Sequence, residues 1–252
     1  MTDQIQILDV QNGWLAVDKP CGLSVHNDPG HDLVSILPAR IRSNPLWISR
    51  LGVASSFFVH PVHRLDKETS GVILLAADNG ILRSLSELFV AGKVYKKYIA
   101  LVHGNFNPEV VHPEYHTWEF ALSKTAGGRS DPVGKGRRVN CCTRYRILQQ
   151  SPRYALLEIE LLTGRQHQIR RHAKLAGHPV TGDTRYGSKK SIHYLRDTLS
   201  YNRLGLHCKQ LEFVFPGQQE TVCIVSKNPL AEMDRLLTED TENGACHGVV
   251  IF

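Results

Sequence analysis

The sequence predicts an α+β fold built around a mixed or antiparallel central sheet with flanking helices. Short apolar runs rich in β-branched residues predict many strands, whereas the periodicity typical of helices recurs in only a few separated segments. The 252-residue chain contains neither a Pro/Ser-rich linker nor an internal repeat. We therefore predict one domain that spans residues 1–252.

The first half of the chain contains three predicted strands and two predicted helices. The strands are expected at residues 14–18, 72–77 and 94–102, and the helices at 32–42 and 81–89, where Gly92 follows as a stop. Residues 44–58 have no clear pattern, and we interpret them as a possible insertion.

The second half begins with a Gly/Arg-rich segment, residues 123–138, that predicts a mobile basic loop. Either it is a solvated surface loop or it closes over RNA, and the sequence leaves both alternatives open. Further strands are expected at 154–162, 206–215 and 221–225, and helices at 164–176 and from Asn228 onward, where Pro229 would occupy the first position. Cys141 and Cys142 are expected in a strand.

The composition favours a basic protein of a reducing compartment. The formal net charge is +6, which favours an anionic partner and nucleic acid first. The predicted 164–176 helix carries the strongest basic patch, with arginines, histidines and a lysine but no acid on its polar side. The six cysteines form no C-x-x-C pair, and neither a signal peptide nor an apolar run of membrane-spanning length is present. We expect a cytoplasmic protein that does not bind membranes.

The chain is organised around residues 63–71, HRLDKETSG, which lie directly before the buried strand predicted at 72–77. Asp66 would sit among ionisable groups at the mouth of this strand. A carboxylate there needs partners, because removing a lone charge from water costs several kcal/mol or shifts its pKa. Arg64 and Lys67 are the nearest cations. The loop can hold a reactive carboxylate, or its ion pairs can merely solvate it.

Three further motifs favour the first alternative. They are residues 96–104 (KKYIALVHG), 163–172 (TGRQHQIRRH) and 177–187 (GHPVTGDTRYG). Together with residues 63–71, and in the same order and spacing, they resemble the RluA family of pseudouridine synthases from about residue 14 to about residue 229. The resemblance implies a single catalytic domain, without an N-terminal S4-type module, that binds RNA in a cleft across the sheet.

The resemblance also implies roles for five residues. Asp66 would be the catalytic aspartate, acting as nucleophile or base. Tyr98 would lie against the flipped uracil, although a core tyrosine of a strand has the same pattern. Arg165 would contact a phosphate or keep Asp66 ionised, and the family pattern favours the second role. Arg64 would enter the RNA or hold a phosphate, and Leu206 would form a wall of the base pocket.

Other chemistries find little support in the sequence. The spacing of His167, His172 and His178 fits no zinc motif, and neither a Gly-x-Ser-x-Gly motif nor a nucleotide-binding motif is present. We predict an enzyme that isomerises uridines in structured rRNA or tRNA, without cofactor or metal, as a monomer with no obligate protein partner. The rival hypotheses are a non-catalytic RNA-binding protein of the same fold and an RNA nuclease that uses histidines and arginines.

Overall fold

A computed structural model describes residues 5–53, 57–107, 114–228 and 230–246. The chain folds into two compact units. Unit 1 comprises Met1–Lys96 and His207–Asn228, and unit 2 comprises Lys97–Leu206 and Pro229–Phe252. The predicted α+β class is confirmed, because each unit combines paired strands with helices.

Unit 1 contains a mixed sheet and three helices among its described residues. The strands are β1 (Gln6–Gln11), β2 (Trp14–Lys19), β3 (His60–Pro61), β4 (Ser70–Ala76), most of β11 (Leu206–Val214) and β12 (Thr221–Val225). The helices are α1 (Leu33–Arg42), α2 (Pro45–Leu51) and α3 (Asn79–Val90). Strand β4 is the centre: it pairs antiparallel with β2 and β3 and parallel with β11. All seven of its residues are buried, as its apolar sequence predicts.

The helices of unit 1 begin at side-chain caps. The side chains of Asp32 and Asp78 accept a hydrogen bond from the backbone N–H three residues later, at the start of α1 and α3. Helix α2 lies within residues 44–58, the segment without a clear sequence pattern. Asn44 caps it, a proline follows at its first position, and Gly52 ends it in a left-handed conformation. Seven residues are too few to display helical periodicity, so only the caps could have predicted it.

Unit 2 contains an antiparallel sheet, a short hairpin and three helices among its described residues. The sheet has the order β5 (Tyr95–His103, whose first two residues belong to unit 1), β10 (Tyr154–Leu161), β9 (Thr143–Gln150) and β6 (His116–Trp118). Strands β7 (Leu122–Ser123) and β8 (Arg138–Val139) form the hairpin. The helices are α4 (Gln168–Leu175), α5 (Lys189–Asp197) and α6 (Ala231–Cys246).

Helix α6 packs its apolar side into the core of unit 2. Met233, Leu236 and Leu237 are buried together with Leu101 and Tyr154 of the sheet. The predicted apolar side of this helix is confirmed, but its predicted beginning is wrong. Leu230 has a φ of 56°, which no helical residue adopts, and its carbonyl accepts the first hydrogen bonds of the helix. The helix therefore starts at residue 231, and Pro229, predicted at its first position, lies outside the described residues.

The predicted position of the two adjacent cysteines is also wrong. Cys141 and Cys142 lie directly before β9 and not within a strand. The elements without a predicted counterpart are strands β1, β3 and β6 to β9 and helices α2 and α5. Within the described ranges, no helix combines the length and apolarity that a membrane span requires. In the same residues, no three His, Cys, Asp or Glu side chains are grouped so that they could hold a metal ion.

The backbone approach at Gly71 gives a stability prediction. Gly71 has a φ of 111°, and a Cβ there would lie 2.2 Å from the carbonyl oxygen of Cys208. We expect Gly71→Ala to cost more than about 3 kcal/mol of unfolding free energy, because backbone would have to move. Gly92→Ala is the control: its φ is 67° but no atom lies within 4 Å of the added Cβ. It should cost about 1 kcal/mol. Equal losses in urea unfolding would contradict the prediction.

Candidate active site

The loop that carries Asp66 joins β3 to β4 in unit 1. Leu65 points inward and is 8% exposed, whereas Arg64 is exposed and Asp66 is half-buried. The backbone turns at Lys67, and the N–H of Thr69 donates to the carbonyl of Asp66 at 3.1 Å. The Asp66 carboxylate therefore lies at a tight turn, and the buried side chain of Leu65 anchors the chain beside it.

The start of this loop is anchored by His63. Its Nε2 accepts a hydrogen bond from the backbone N–H of Leu74 at 3.0 Å, and its ring stacks on Phe89 with centroids 4.6 Å apart. Burial, aided by the Lys96 ammonium, lowers the pKa of His63 to about 3. Both the acceptor role and the lowered pKa require a neutral ring at physiological pH. The neutral ring of His63 therefore packs between α3 and β4 and contacts both elements.

The middle of the loop is anchored through two backbone carbonyls. The ammonium of Lys19, a residue with no exposed surface, donates to Lys67 O at 3.0 Å, and the N–H of Gly22 donates to the same oxygen at 2.9 Å. The Cys21 thiol donates to Glu68 O with the two atoms 2.9 Å apart. The end of β2 therefore fixes the two residues that follow the aspartate. Sequence reasoning did not assign this holding role.

Tyr98, Arg165 and Leu206 belong to unit 2, and their proximity to Asp66 of unit 1 stays a prediction. Tyr98 lies on β5 opposite Ile159 and is 7% exposed. Because alternate strand residues point the same way, its side chain lies on the opposite face of β5 from Ile99 and Leu101, which pack in the α6 core.

Arg165 lies in the turn before α4, and its side chain is exposed. Gln168 fixes this turn: its Oε1 accepts from the backbone N–H of Arg165 at 3.0 Å and from Thr163 Oγ1 at 2.8 Å. His167, in a left-handed conformation with φ 53°, completes the turn through Nδ1, which lies 3.0 Å from the buried Tyr186 hydroxyl. The backbone of Arg165 is fixed, and its guanidinium is available to an anion.

Leu206 is the first residue of β11 and is 4% exposed. The preceding Gly205 pairs its carbonyl with the N–H of Leu101 at 2.8 Å. A Cβ at Gly205 would lie 2.2 Å from Thr181 Oγ1, so only glycine fits this close approach. Leu206 is therefore held beside β5 within unit 2.

The expectation of a basic, solvent-facing side on the predicted 164–176 helix is wrong for three of its members. Arg170, Arg171 and His172 are 2%, 0% and 0% exposed. Arg170 forms two hydrogen bonds with Asp183, from Nε at 2.7 Å and from Nη2 at 2.9 Å. Burial lowers the pKa of His172 to about 4. Sequence periodicity misassigned them because buried arginines that have partners look identical to exposed ones in a helix pattern.

Residues 123–138, predicted as a mobile loop, are instead held by arginines at several points. The Arg171 side chain donates to backbone carbonyls of Ser123, Pro132 and Val133. Two surface arginines act reciprocally: Arg185 donates to the carbonyls of residues 126 and 127, and Arg129 to those of Thr184 and Gly187. Lys135, Arg137 and Arg138 remain exposed at the end of the segment. Its cations therefore divide into structural and exposed groups.

Comparisons with known proteins agree with these motifs. Residues 13–175 match the family model described as RNA pseudouridylate synthase. The chain is 32% identical to ribosomal large subunit pseudouridine synthase C of Buchnera aphidicola subsp. Baizongia pistaciae, over 87% of this chain and 66% of that protein. It is also 32% identical to tRNA pseudouridine synthase C of Haemophilus ducreyi, over 88% of this chain and 90% of that protein.

Two solved human structures share the fold. Human RNA pseudouridylate synthase domain containing 4 matches with a TM-score of 0.70 and 26% identity, covering 92% of this chain and 93% of that chain. Human RNA pseudouridylate synthase domain containing 1 matches with a TM-score of 0.71 and 22% identity, covering 93% and 88%. The chain thus spans just under two thirds of the Buchnera relative but most of each human structure.

The lowered pKa of His63 predicts a stability change with pH. Between pH 6.5 and about 3 the unfolded chain binds a proton at this ring that the folded protein does not bind, so unfolding is favoured as the pH falls through this range. Above pH 6.5 the contribution is constant.

The test is His63→Gln, which keeps an acceptor near the Nε2 position but cannot titrate. We expect the slope of unfolding free energy between pH 6 and 4 to be smaller in this variant by up to about 1.4 kcal/mol per pH unit. Identical slopes in urea unfolding would show that the ring is protonated in the folded protein too.

Proposed function

Because this chain belongs to the RNA pseudouridylate synthase family, we propose that it converts uridine in RNA to pseudouridine. The observation that carries the proposal is Asp66, which occupies the aspartate position of the 63–71 motif. Its loop is anchored at His63 and by Lys19, while the carboxylate is half-exposed. A carboxylate in a fixed, partly solvated position can reach a substrate and react with it.

The reaction needs little more than such a group. The bond between N1 of uracil and C1′ of ribose breaks, the base turns, and a bond between C5 and C1′ forms; a proton leaves C5 and N1 takes one up. Asp66 acts as nucleophile or as base in this isomerisation. No electron acceptor and no second substrate enter the balance, because product and substrate have the same composition.

We propose roles for four further residues. Tyr98 lies against the uracil after the base has left the RNA stack, a step that costs a few kcal/mol. Leu206 forms a wall of the base pocket, in keeping with its buried position at the start of β11. Arg165 is the partner of the Asp66 carboxylate, and the exposed Arg64 enters the RNA or holds a phosphate.

We further propose that the substrate is structured rRNA or tRNA, because the names of the two curated relatives specify these two RNA classes. Residues 1–252 act as one catalytic domain in this proposal, since the family match over 13–175 runs through parts of both units. The enzyme acts as a monomer in the cytoplasm, without a cofactor.

Exposed cations supply RNA affinity in this proposal. Arg137 and Arg138 lie at the exposed end of the segment 123–138, whereas Arg129 and Arg171 of its surroundings are committed to carbonyls. Phosphates are the natural ligands for the first pair, because they have no carboxylate partner among the contacts of the described residues.

Asp66→Asn tests the function. The amide keeps the shape of the side chain and loses its charge and nucleophilicity, so the variant should fold, bind substrate RNA within about twofold of wild type, and form no pseudouridine. Melting temperature, RNA affinity and pseudouridine content are measured on one preparation. Asp78→Asn, the same chemical change at the exposed cap of α3, is the matched control and should leave turnover unchanged, since Asn and Asp cap helices equally well.

Turnover near the wild-type rate in folded Asp66→Asn protein would overturn the assignment. Wild-type protein that binds RNA but forms no pseudouridine would favour the non-catalytic rival. Strand scission on a denaturing gel would favour the nuclease.

Arg137→Ala/Arg138→Ala tests the exposed cations. We expect weaker RNA binding and a slope of log affinity against log salt that is smaller by about 1 to 2, one phosphate contact being lost per arginine. The control is Arg196→Ala/Arg235→Ala, which removes the same charge from exposed arginines that already pair with Asp197 and Glu239. Equal salt slopes in the two double variants would return residues 123–138 to the role of a solvated surface segment.

A further inference from the structure

Unit 1 contains a chain of four buried polar side chains that the reaction outlined above does not use. Ser70 Oγ lies 2.8 Å from His207 Nδ1, and His207 Nε2 lies 2.8 Å from Ser226 Oγ. Ser226 Oγ in turn donates to Asp18 Oδ2. The four residues are between 0% and 5% exposed. The chain joins the ends of β2 and β4 to β11 and to the residue just after β12.

The hydrogen bonds of Ser226 define the direction of this chain. A serine hydroxyl has one proton and two acceptor positions. Ser226 gives its proton to the Asp18 carboxylate, and it accepts from the backbone N–H of Asn228 at 3.1 Å. In its third contact, with His207 Nε2, the Ser226 oxygen must therefore also accept a hydrogen bond. His207 consequently carries a proton on Nε2. In the neutral ring, Nδ1 is then an acceptor and Ser70 donates to it.

This chain ends at the loop of the reactive carboxylate. Ser70 is the first residue of β4 and lies opposite His207 in the parallel register of β4 and β11. Thr69, its neighbour, donates its N–H to the carbonyl of Asp66. Lys19 and His63 hold the middle and the start of the loop, and Ser70 holds its end. A rotation of Ser70 would therefore be transmitted to Asp66 through Thr69 and its hydrogen bond to the Asp66 carbonyl.

A buried polar chain of this kind is not explained by stability alone. Apolar side chains of similar volume stabilise a core at least as well as buried polar groups, which must first lose their hydration. What directed hydrogen bonds add is a unique orientation, because each donor accepts only a narrow range of geometries.

We propose that His207 is a positioning residue of the reaction, which holds Asp66 in its productive geometry through Ser70 and is itself oriented by Ser226 and Asp18. The inference rests on the proposed function. It predicts that breaking the contact between His207 and Ser70 lowers kcat and leaves KM nearly unchanged, since the loop would lose its geometry without losing contacts to RNA.

Two substitutions of His207 separate its two contacts. The amide of Asn reaches the position of Nδ1 and can keep the bond to Ser70, whereas the amide of Gln reaches the position of Nε2 and keeps only the bond to Ser226. We expect kcat to fall about 10-fold to 100-fold in His207→Gln and clearly less in His207→Asn. Ser70→Ala should match His207→Gln, and the double variant should be no slower than either single variant, because both remove the same bond.

The control for stability is Asp32→Ala, which removes the side-chain cap of α1 at a buried residue of unit 1 that has no part in the chain. It should lower the melting temperature without lowering kcat. If His207→Gln and Ser70→Ala keep the wild-type kcat, or if their losses add in the double variant, the inference is wrong. If His207→Gln does not fold, Ser70→Ala, which deletes a single oxygen, decides alone.

The ring of His207 provides a second measurement that does not depend on turnover. Nitrogen NMR of the folded protein should show a neutral ring with the proton on Nε2, and a proton on Nδ1 would overturn the proposed direction of the chain. Wild-type protein that forms no pseudouridine would instead overturn the proposed function, so the two failures are distinguishable.

Discussion

A buried ammonium imposes the constraint on which the loop of Asp66 depends. Lys19 has no exposed surface, and a buried charge must be satisfied by acceptors that cannot move away. Its Nζ finds them in the backbone carbonyls of Pro20, Leu23 and Lys67, at 2.8 to 3.0 Å. Two of these belong to the same segment as the lysine and one to the loop. The cost of leaving the charge unsatisfied therefore fixes the loop to the end of β2.

In unit 2 a buried arginine is likewise satisfied by backbone carbonyls. Arg171 is fully buried and directs its donors at carbonyls of residues 123, 132, 133 and 166 instead of at a carboxylate. Carbonyls are fixed by the backbone, so a buried cation that binds several of them determines the path of an irregular segment more strictly than an ion pair would. Desolvation lowers the pKa of Arg171, yet arginine remains charged far above neutral pH. In both units a cation therefore gives shape to a segment without regular secondary structure.

The sequence predicted the regular elements well where a local pattern existed. The buried strand β4, the amphipathic α3 and the stop at Gly92 follow from apolar spacing and from the conformational freedom of glycine. It failed where partners lie far apart in the chain. Nothing local distinguishes the buried Arg170 from the exposed Arg165, because the difference is the carboxylate of Asp183. The partners of Lys19 and Ser70 are likewise invisible to periodicity, and the holding of the Asp66 loop could not be foreseen.

The order in which the chain visits its two units affects how the protein folds during synthesis. Unit 1 receives residues 1–96, yet β11 and β12 return to it only after 110 residues of unit 2 have been made. Ser70 must wait for His207, 137 positions later, and until then one edge of β4 lacks its parallel partner. Such long-range pairing is slow, because loop-closure entropy is lost before the contacts form. The first two residues of β4 therefore lack their parallel partner while the ribosome completes the intervening sequence, and unpaired strand edges of this kind favour aggregation.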